Sequence, residues 1–179
     1  MYGTAMMGLL GGGGRYNARG VLFDGSNDYL TRGAAFTGAA DTTGITFSAW
    51  LKMSSNGGAN QEIFENGGVL IELVDSSSKV RFIASNTSGT EILNIQSNAI
   101  TLGSWFHIAA SFNASAGTAQ IYLNDASAIN TTTTLTTGTI DLTPTSPYPS
   151  FGAAANGANK LKADVVDPYF VTSALDLSN

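Results

Sequence analysis

Ile45-Thr46-Phe47-Ser48-Ala49-Trp50-Leu51-Lys52-Met53 alternates apolar and polar side chains with a period of two. An extended chain with that spacing puts Ile45, Phe47, Ala49, Leu51 and Met53 on one face and Thr46, Ser48, Trp50 and Lys52 on the other, which predicts a strand with one face in a core. Phe106, Ile108, Ala110 and Phe112 repeat the alternation. Ala119, Ile121 and Leu123 follow the turn-forming stretch Asn113 to Gly117, so a hairpin is predicted there. Val69, Ile71 and Leu73, then Val80, Phe82 and Ala84, flank Asp75-Ser76-Ser77-Ser78, whose short polar side chains bond neighbouring backbone and predict a second hairpin. Shorter runs predict strands over 21–24, 29–32, 61–65, 92–95, 140–142, 150–153 and 163–171. The Thr-rich stretch 131–139 reads as an edge strand with both faces wet or as a loop. About a dozen strands in roughly 160 residues are more than one flat sheet carries. The fold class is therefore all-β, two antiparallel sheets stacked as a β-sandwich.

The 179 residues suit one domain, read as 20–179, preceded by a Gly-rich arm over 1–19. Charged residues make up only 12% of the chain, about half of ordinary usage, so the surface must be built from hydroxyls and amides. Eight Lys plus Arg against thirteen Asp plus Glu give −5, spread thinly, with no basic stripe for a phosphate backbone; nucleic acid is not an expected partner. No apolar run reaches the roughly 18 to 20 residues that span a bilayer, so no membrane insertion is expected. With no cysteine and a single histidine, disulfides, thiolate chemistry and His-based metal clusters are excluded, and the redox compartment is unreadable. In the arm, Ala5-Met6-Met7-Gly8-Leu9-Leu10 has no Lys or Arg before it and makes a poor secretion signal. Gly11 to Gly14 lacks the Lys-Ser/Thr of a phosphate loop and reads as a linker. Tyr2, Met6, Met7, Leu9 and Leu10 suit a partner surface that orders the arm.

Five segments, taken in order, resemble laminin G-like domains of the concanavalin A-like lectin/glucanase superfamily. Val21-Leu22-Phe23-Asp24-Gly25-Ser26-Asn27-Asp28-Tyr29-Leu30 resembles the opening "FDGxxDYV" hairpin, and Ile45 to Lys52 resembles "FTVSAWVK". Gly103-Ser104-Trp105-Phe106-His107-Ile108-Ala109 resembles "GxWHHVA". Gln120-Ile121-Tyr122-Leu123-Asn124-Asp125 resembles "LYVDG", with Asp125 in place of the usual Gly. Ala163 to Phe170 resembles the closing "DDVRIY" strand, with Pro168 as a departure. The resemblance covers about residues 20 to 175 and implies a jelly-roll sandwich with first and last strands side by side. Similar domains stand among the virion proteins of tailed bacteriophages, whose Gly/Ala/Ser/Thr-rich, cysteine-free texture this chain shares.

The superfamily includes β-glucanases, so the resemblance raises a pair of catalytic carboxylates as an option. Retaining glycosidases need two carboxylates about 5 Å apart. The nearest stretches, Glu62-Ile63-Phe64-Glu65 and Glu72-Leu73-Val74-Asp75, are spaced i, i+3, which on a regular strand puts each pair on opposite faces unless a bulge intervenes. No Gly-x-Ser-x-Gly elbow accompanies His107, which matches the family strand and reads as a structural histidine. No catalytic residues and no enzyme activity are expected. No cofactor is expected either, although the resemblance implies calcium as an option, held by Asp24, Asp28, Asp164 and Asp167 through hard oxygen ligands. The alternative is that Asp24 and Asp28 cap their own tight turn.

For glycans, which need an aromatic platform and polar neighbours, the candidates are Tyr148 in its proline-rich loop, Trp50 and Trp105. The resemblance would instead pack both tryptophans between the sheets. The leading expectation is a non-enzymatic structural or adhesive module of a phage virion, a head decoration or tail-associated protein. Its expected partners are other virion proteins and copies of itself, with weak binding of cell-surface glycans and a place on the particle surface. The alternative is a lectin or adhesin domain of a secreted bacterial protein, located outside the cell.

Overall fold

A computed structural model describes residues 20–34, 39–143 and 149–178. Thirteen strands fill the described residues: β1 (Gly20–Asp24), β2 (Leu30–Thr31), β3 (Gly44–Met53), β4 (Gln61–Asn66), β5 (Val69–Val74), β6 (Lys79–Ser85), β7 (Glu91–Ala99), β8 (Trp105–Asn113), β9 (Thr118–Leu123), β10 (Ala126–Ser127), β11 (Ile129–Leu135), β12 (Ser150–Phe151) and β13 (Lys162–Val171). They form a six-stranded sheet ordered β1-β13-β3-β8-β9-β10 and a seven-stranded sheet ordered β11-β7-β6-β5-β4-β12-β2. All strand pairs are antiparallel.

Alternation puts the core where the sequence reading placed it. Phe47, Leu51 and Met53 of β3 and Phe106, Ile108 and Phe112 of β8 are buried with Ile71, Leu73, Val80, Phe82, Leu93 and Ile95 of the other sheet. Burying each such side chain is worth about 1.5–3 kcal/mol over leaving it in water. Three aromatic pairs join the layers: Phe47 with Phe82 at 6.3 Å between ring centroids, Phe23 with Phe151 at 5.7 Å, and Phe64 with Phe170 at 4.8 Å, all tilted. Tilted rings at these distances are favourable arrangements of the aromatic quadrupole.

Both predicted hairpins form, β8–β9 and β5–β6, the second closed by a 3-10 turn over Asp75–Ser77. Asp75 also ties down the neighbouring loop. Its carboxylate accepts bonds from Ser55 Oγ (2.8 Å), the N–H groups of Asn56 (3.1 Å) and Gly58 (2.7 Å), and Gln61 Nε2 (3.0 Å). Of the Thr-rich stretch, 131–135 belongs to the edge strand β11, largely wet on both faces, and 136–139 runs on as a loop.

Three expectations are corrected. Residues 140–142 make only an isolated bridge, Thr42 to Ile140, although Ile140 and Leu142 are buried. Val21 to Leu30 is not a hairpin: β1 pairs with β13 and β2 pairs with β12, so the turn at Asp24–Asp28 carries the chain from one sheet to the other. Trp50 and Trp105 do not pack between the sheets; their period-two positions, out of phase with Ala49, Leu51 and Phe106, put them on the outer face. The expected adjacency of first and last strands is present, Gly20 opposite Val166 through Asp24 opposite Lys162. Pro168 lies in a bulge between Val166 and Tyr169, where Asp167 adopts φ 50°; a residue without an N–H is thus taken out of the ladder.

Candidate functional site

The outer face of the six-stranded sheet is built by the same alternation that builds the core. Across it the register sets Tyr169, Ser48, Ala109 and Tyr122 side by side on β13, β3, β8 and β9. The adjoining row holds Val166, Trp50 and His107. Two small side chains therefore form a floor between two tyrosines, four strands and about 14 Å across. Trp50 and His107 form the third side, their rings 5.2 Å apart and inclined at 41°. Ser48 Oγ lies 2.8 Å from His107 Nε2 in a hydrogen bond, which fixes the imidazole. Asn124 clamps the strand beside it: the His107 N–H donates to Asn124 Oδ1 at 2.9 Å, and the Asn124 N–H donates to the His107 carbonyl at 3.0 Å. Tyr169 is 50% exposed and Trp50 is half-buried, so both rings are open to solvent.

Trp105 stands one row further out, opposite Lys52, and is 38% exposed. Lys52 Nζ lies 3.9 Å from Asp164 Oδ2, a surface pair worth little. Trp50 and Trp105 thus share one face, while Tyr148 lies outside the described residues, as do Tyr2, Met6, Met7, Leu9 and Leu10. Tyr122 and Tyr169 complete the aromatic frame. Tyr122 was legible by alternation along 119–123; Tyr169 was hidden because the bulge shifts its phase.

The four acids considered for calcium do not converge. Asp24 Oδ1 accepts the N–H groups of Ser26 (2.6 Å) and Asn27 (3.4 Å), and Asp28 Oδ2 accepts that of Asp24 (3.3 Å), so both close their own turn. Across the ladder Asp24 faces Lys162, Asp164 is engaged with Lys52, and Asp167 is exposed at the bulge. Among the described residues no group of three or more His, Cys, Asp or Glu is placed to hold a metal ion.

The carboxylates on the seven-stranded sheet differ from the regular-strand expectation. A register shift between Glu62 and Phe64 bulges β4 at Ile63, setting Glu62 opposite Glu72 and Glu65 opposite Leu70. Glu62, Glu65 and Glu72 therefore share the outer face, because the extra residue cancels the odd spacing. Each is engaged. Arg81 donates to Glu72 Oε1 through Nε (2.7 Å) and through Nη2. The Ala155 N–H donates to Glu65 Oε2 (2.7 Å), and Asn159 Nδ2 donates to Glu62 Oε1 (2.7 Å). Glu62 is only 5% exposed and its Oε2 has no hydrogen-bond partner. Burial raises its pKa above the ordinary value and the charges of Glu65 and Glu72 add to this, against the lowering bond from Asn159.

No curated protein matches the chain in sequence. Solved structures do match in fold. A heptameric SAP-like pentraxin from Limulus polyphemus superposes with TM-score 0.59 at 13% identity, over 89% of this chain and 78% of the pentraxin. The binding domain of botulinum neurotoxin serotype G gives TM-score 0.64 at 11% identity, over 90% of this chain and 40% of the other. A Bacteroides ovatus protein named for carbohydrate binding gives 0.64 at 14% identity, over 87% and 44%. At such identities the likeness concerns the sandwich itself. In sequence, residues 24–178 match the concanavalin A-like lectin/glucanases superfamily in its laminin G-like form, and with the two-sheet topology and the five ordered segments this places the chain in that family.

Proposed function

We propose that the chain is a non-enzymatic, lectin-like adhesive module that binds glycans on the outer face of its six-stranded sheet. The observation that carries this reading is the floor of Ser48 and Ala109 framed by Tyr169, Tyr122 and the Trp50–His107 stack. A sugar ring offers C–H groups on one face and hydroxyls around its rim. The frame supplies aromatic rings for the first, and the Ser48 hydroxyl, the His107 imidazole and the tyrosine hydroxyls supply polar partners for the second. Carbohydrate-binding relatives in fold support the same direction. Against turnover stand the pairing of Glu72 with Arg81, the bond from the Ala155 N–H to Glu65, and the burial of Glu62 away from any substrate in solution. Calcium is not needed by this reading, so retention on glycans should persist in chelator. The test is a glycan array followed by titration calorimetry on the best ligand. Trp50→Ala or Tyr122→Ala is expected to weaken binding at least tenfold with an unchanged melting profile, and binding that ignores both substitutions refutes the assignment.

The second reading places this module on a bacteriophage particle, as a head decoration or tail-associated protein among copies of itself. It is supported by the low charge, which permits close packing of identical copies, and by the apolar side chains Val21, Leu22 and Leu30 exposed beside the root of residues 1–19. Its test is mass spectrometry of the particle with which the native protein sediments. Many copies alongside capsid or tail proteins support it; recovery as a free protein or within a secreted polypeptide favours an extracellular lectin or adhesin.

A further inference from the structure

β13 ends at Val171, and residues 172–178 then cross the outer face of the six-stranded sheet instead of lengthening a ladder. The register sets Val171, Thr46, Ser111 and Gln120 in one row on β13, β3, β8 and β9. The segment follows that row strand by strand. Thr46 Oγ1 donates to the Ser173 carbonyl (2.8 Å), and the Leu175 N–H donates to Thr46 Oγ1 (3.1 Å) and Ser111 Oγ (3.0 Å). On β9 the Leu177 N–H donates to Gln120 Oε1 (2.9 Å), and Gln120 Nε2 donates to Asp176 Oδ1 (3.3 Å). Thr46 and Ser111 belong to the outer, polar sets of their strands and yet are 2% and 5% exposed; this strap is their cover. Gly44 lets it down onto the sheet. A Cβ there would stand 2.4 Å from the backbone nitrogen of Ala174 and 3.0 Å from its Cβ, so a bare backbone is needed at that point. Apolar burial contributes little, since Leu175 is 43% exposed and Ala174 and Leu177 are half-buried; the position is specified by the hydrogen bonds.

The row beneath the strap is the immediate neighbour of the floor. Val171, Thr46, Ser111 and Gln120 each lie two residues from Tyr169, Ser48, Ala109 and Tyr122, about 7 Å along the strands, on the side away from Trp50 and His107. The floor is therefore flanked twice, by the Trp50–His107 stack on one side and by the backbone of residues 173–177 on the other. Between the flanks a channel runs across four strands. We propose that residues 173–177 are the fourth wall of the glycan site and set its specificity. The channel takes an unbranched run of sugar laid across the strands from β13 to β9, and the strap excludes glycans that carry a branch or bulky substituent on its side, a discrimination made by steric conflict. This inference rests on the outer-face assignment above and adds to it a choice among glycans.

Two variants of the full chain free the strap by different routes. Leu175→Pro with Leu177→Pro removes both N–H donors at positions outside every strand, so the sheet ladders are untouched. Gly44→Ala pushes from below against the backbone of Ala174. Amide exchange followed by NMR reads the seating without any ligand: the Leu175 and Leu177 amides should exchange about tenfold or more slower than in an unstructured peptide, and Gly44→Ala should abolish that protection. Absence of protection in the wild type, or its survival in Gly44→Ala, overturns the proposal. Selectivity is read on an array that pairs linear gluco-, manno- and galacto-oligosaccharides with singly branched counterparts. The wild type should retain linear forms over branched ones, and in Leu175→Pro with Leu177→Pro that preference should fall about tenfold or more. A wild type that binds both forms equally, or a preference unchanged in the double variant, overturns the proposal and leaves the outer-face assignment standing. An equal gain for all glycans overturns it too, since the strap would then be a lid over the floor and not a wall beside it. A wild type that binds no glycan is a different result, which removes the outer-face assignment and this inference with it.

Discussion

Gly152→Ala is a sharp test of how the sandwich is closed. Gly152 follows β12 with φ 90°, a conformation that an L-residue adopts only under strain. A Cβ there would stand 2.4 Å from Cε1, 2.6 Å from Cδ1 and 3.0 Å from Cζ of Phe23. The backbone cannot retreat easily, because the Gly152 N–H donates to the Ile63 carbonyl (3.0 Å) and its own carbonyl accepts from the Leu161 N–H (2.8 Å). Phe23 is buried against Phe151 and cannot swing away without opening that contact. Overpacking of this kind costs about 1–3 kcal/mol and the left-handed backbone roughly 1–2 kcal/mol more. A loss of about 3 kcal/mol corresponds to a fall of about 6–12 °C in Tm for a chain of this size. Differential scanning calorimetry measures it. Phe23→Leu alone should cost about 1–2 kcal/mol, but combined with Gly152→Ala the loss should fall short of the sum by at least about 1 kcal/mol, since the smaller side chain frees the space. A single-variant loss below about 1 kcal/mol, or strict additivity in the double variant, refutes the clash.

Three further outcomes follow from the charged groups and the aromatic frame. Glu62 has a folded pKa above its ordinary 4.5, so its penalty is absent below that value and grows as pH rises through the folded one; Glu62→Gln should stabilise the protein at pH 7 and lose that advantage below about pH 4.5 in urea titrations. Asp75 is the opposite case. Burial alone would raise its pKa, but the bonds from Ser55, Asn56, Gly58 and Gln61 outweigh burial and hold it below the ordinary 3.8. Its contribution is present above that value and lost as pH falls through the folded one, so Asp75→Asn should cost about 2 kcal/mol at neutral pH and less in acid. Trp105→Ala, one row outside the frame, should change glycan affinity less than threefold, and a loss equal to that of Trp50→Ala would move the site toward the Lys52 row.

Period-two alternation made most of the fold legible, because each long strand has one face in the core and a one-residue error would expose Phe47 or Phe106. What the alternation could not reveal lies where the period breaks. The bulge at Ile63 turns Glu62 and Glu65 to the same side, and that at Asp167–Pro168 resets Tyr169 onto the outer face; a bulge leaves no periodic signal, only an odd count. The Asp24–Asp28 turn misled for another reason. Its Asx bonding is local and identical whether the chain doubles back in one sheet or crosses to the other, so the destination is set by distant partners, β13 and β12. Of the site, the tryptophans were named from sequence and alternation already set Trp50 on the face away from the core, but that they share that face with Tyr122 and Tyr169 in adjoining rows depended on register between strands far apart in the chain.

The pairing of β1 with β13 also decides how the domain bears load. Gly20 sits opposite Val166 and Asp24 opposite Lys162, so the beginning of the first strand and the end of the last leave the sheet at the same end. Tension applied between those two points peels the ladder open one rung at a time, each antiparallel bond meeting the force alone. Tension applied between Gly20 and a ligand held on the outer face runs across the strands instead, because Gly20 lies on the row of Val166, Trp50 and His107, and it too loads the Gly20 end of the β1–β13 ladder first. A molecule anchored through β1 and loaded through its outer face would therefore yield first where Gly20 meets Val166, the rung on which its mechanical strength depends.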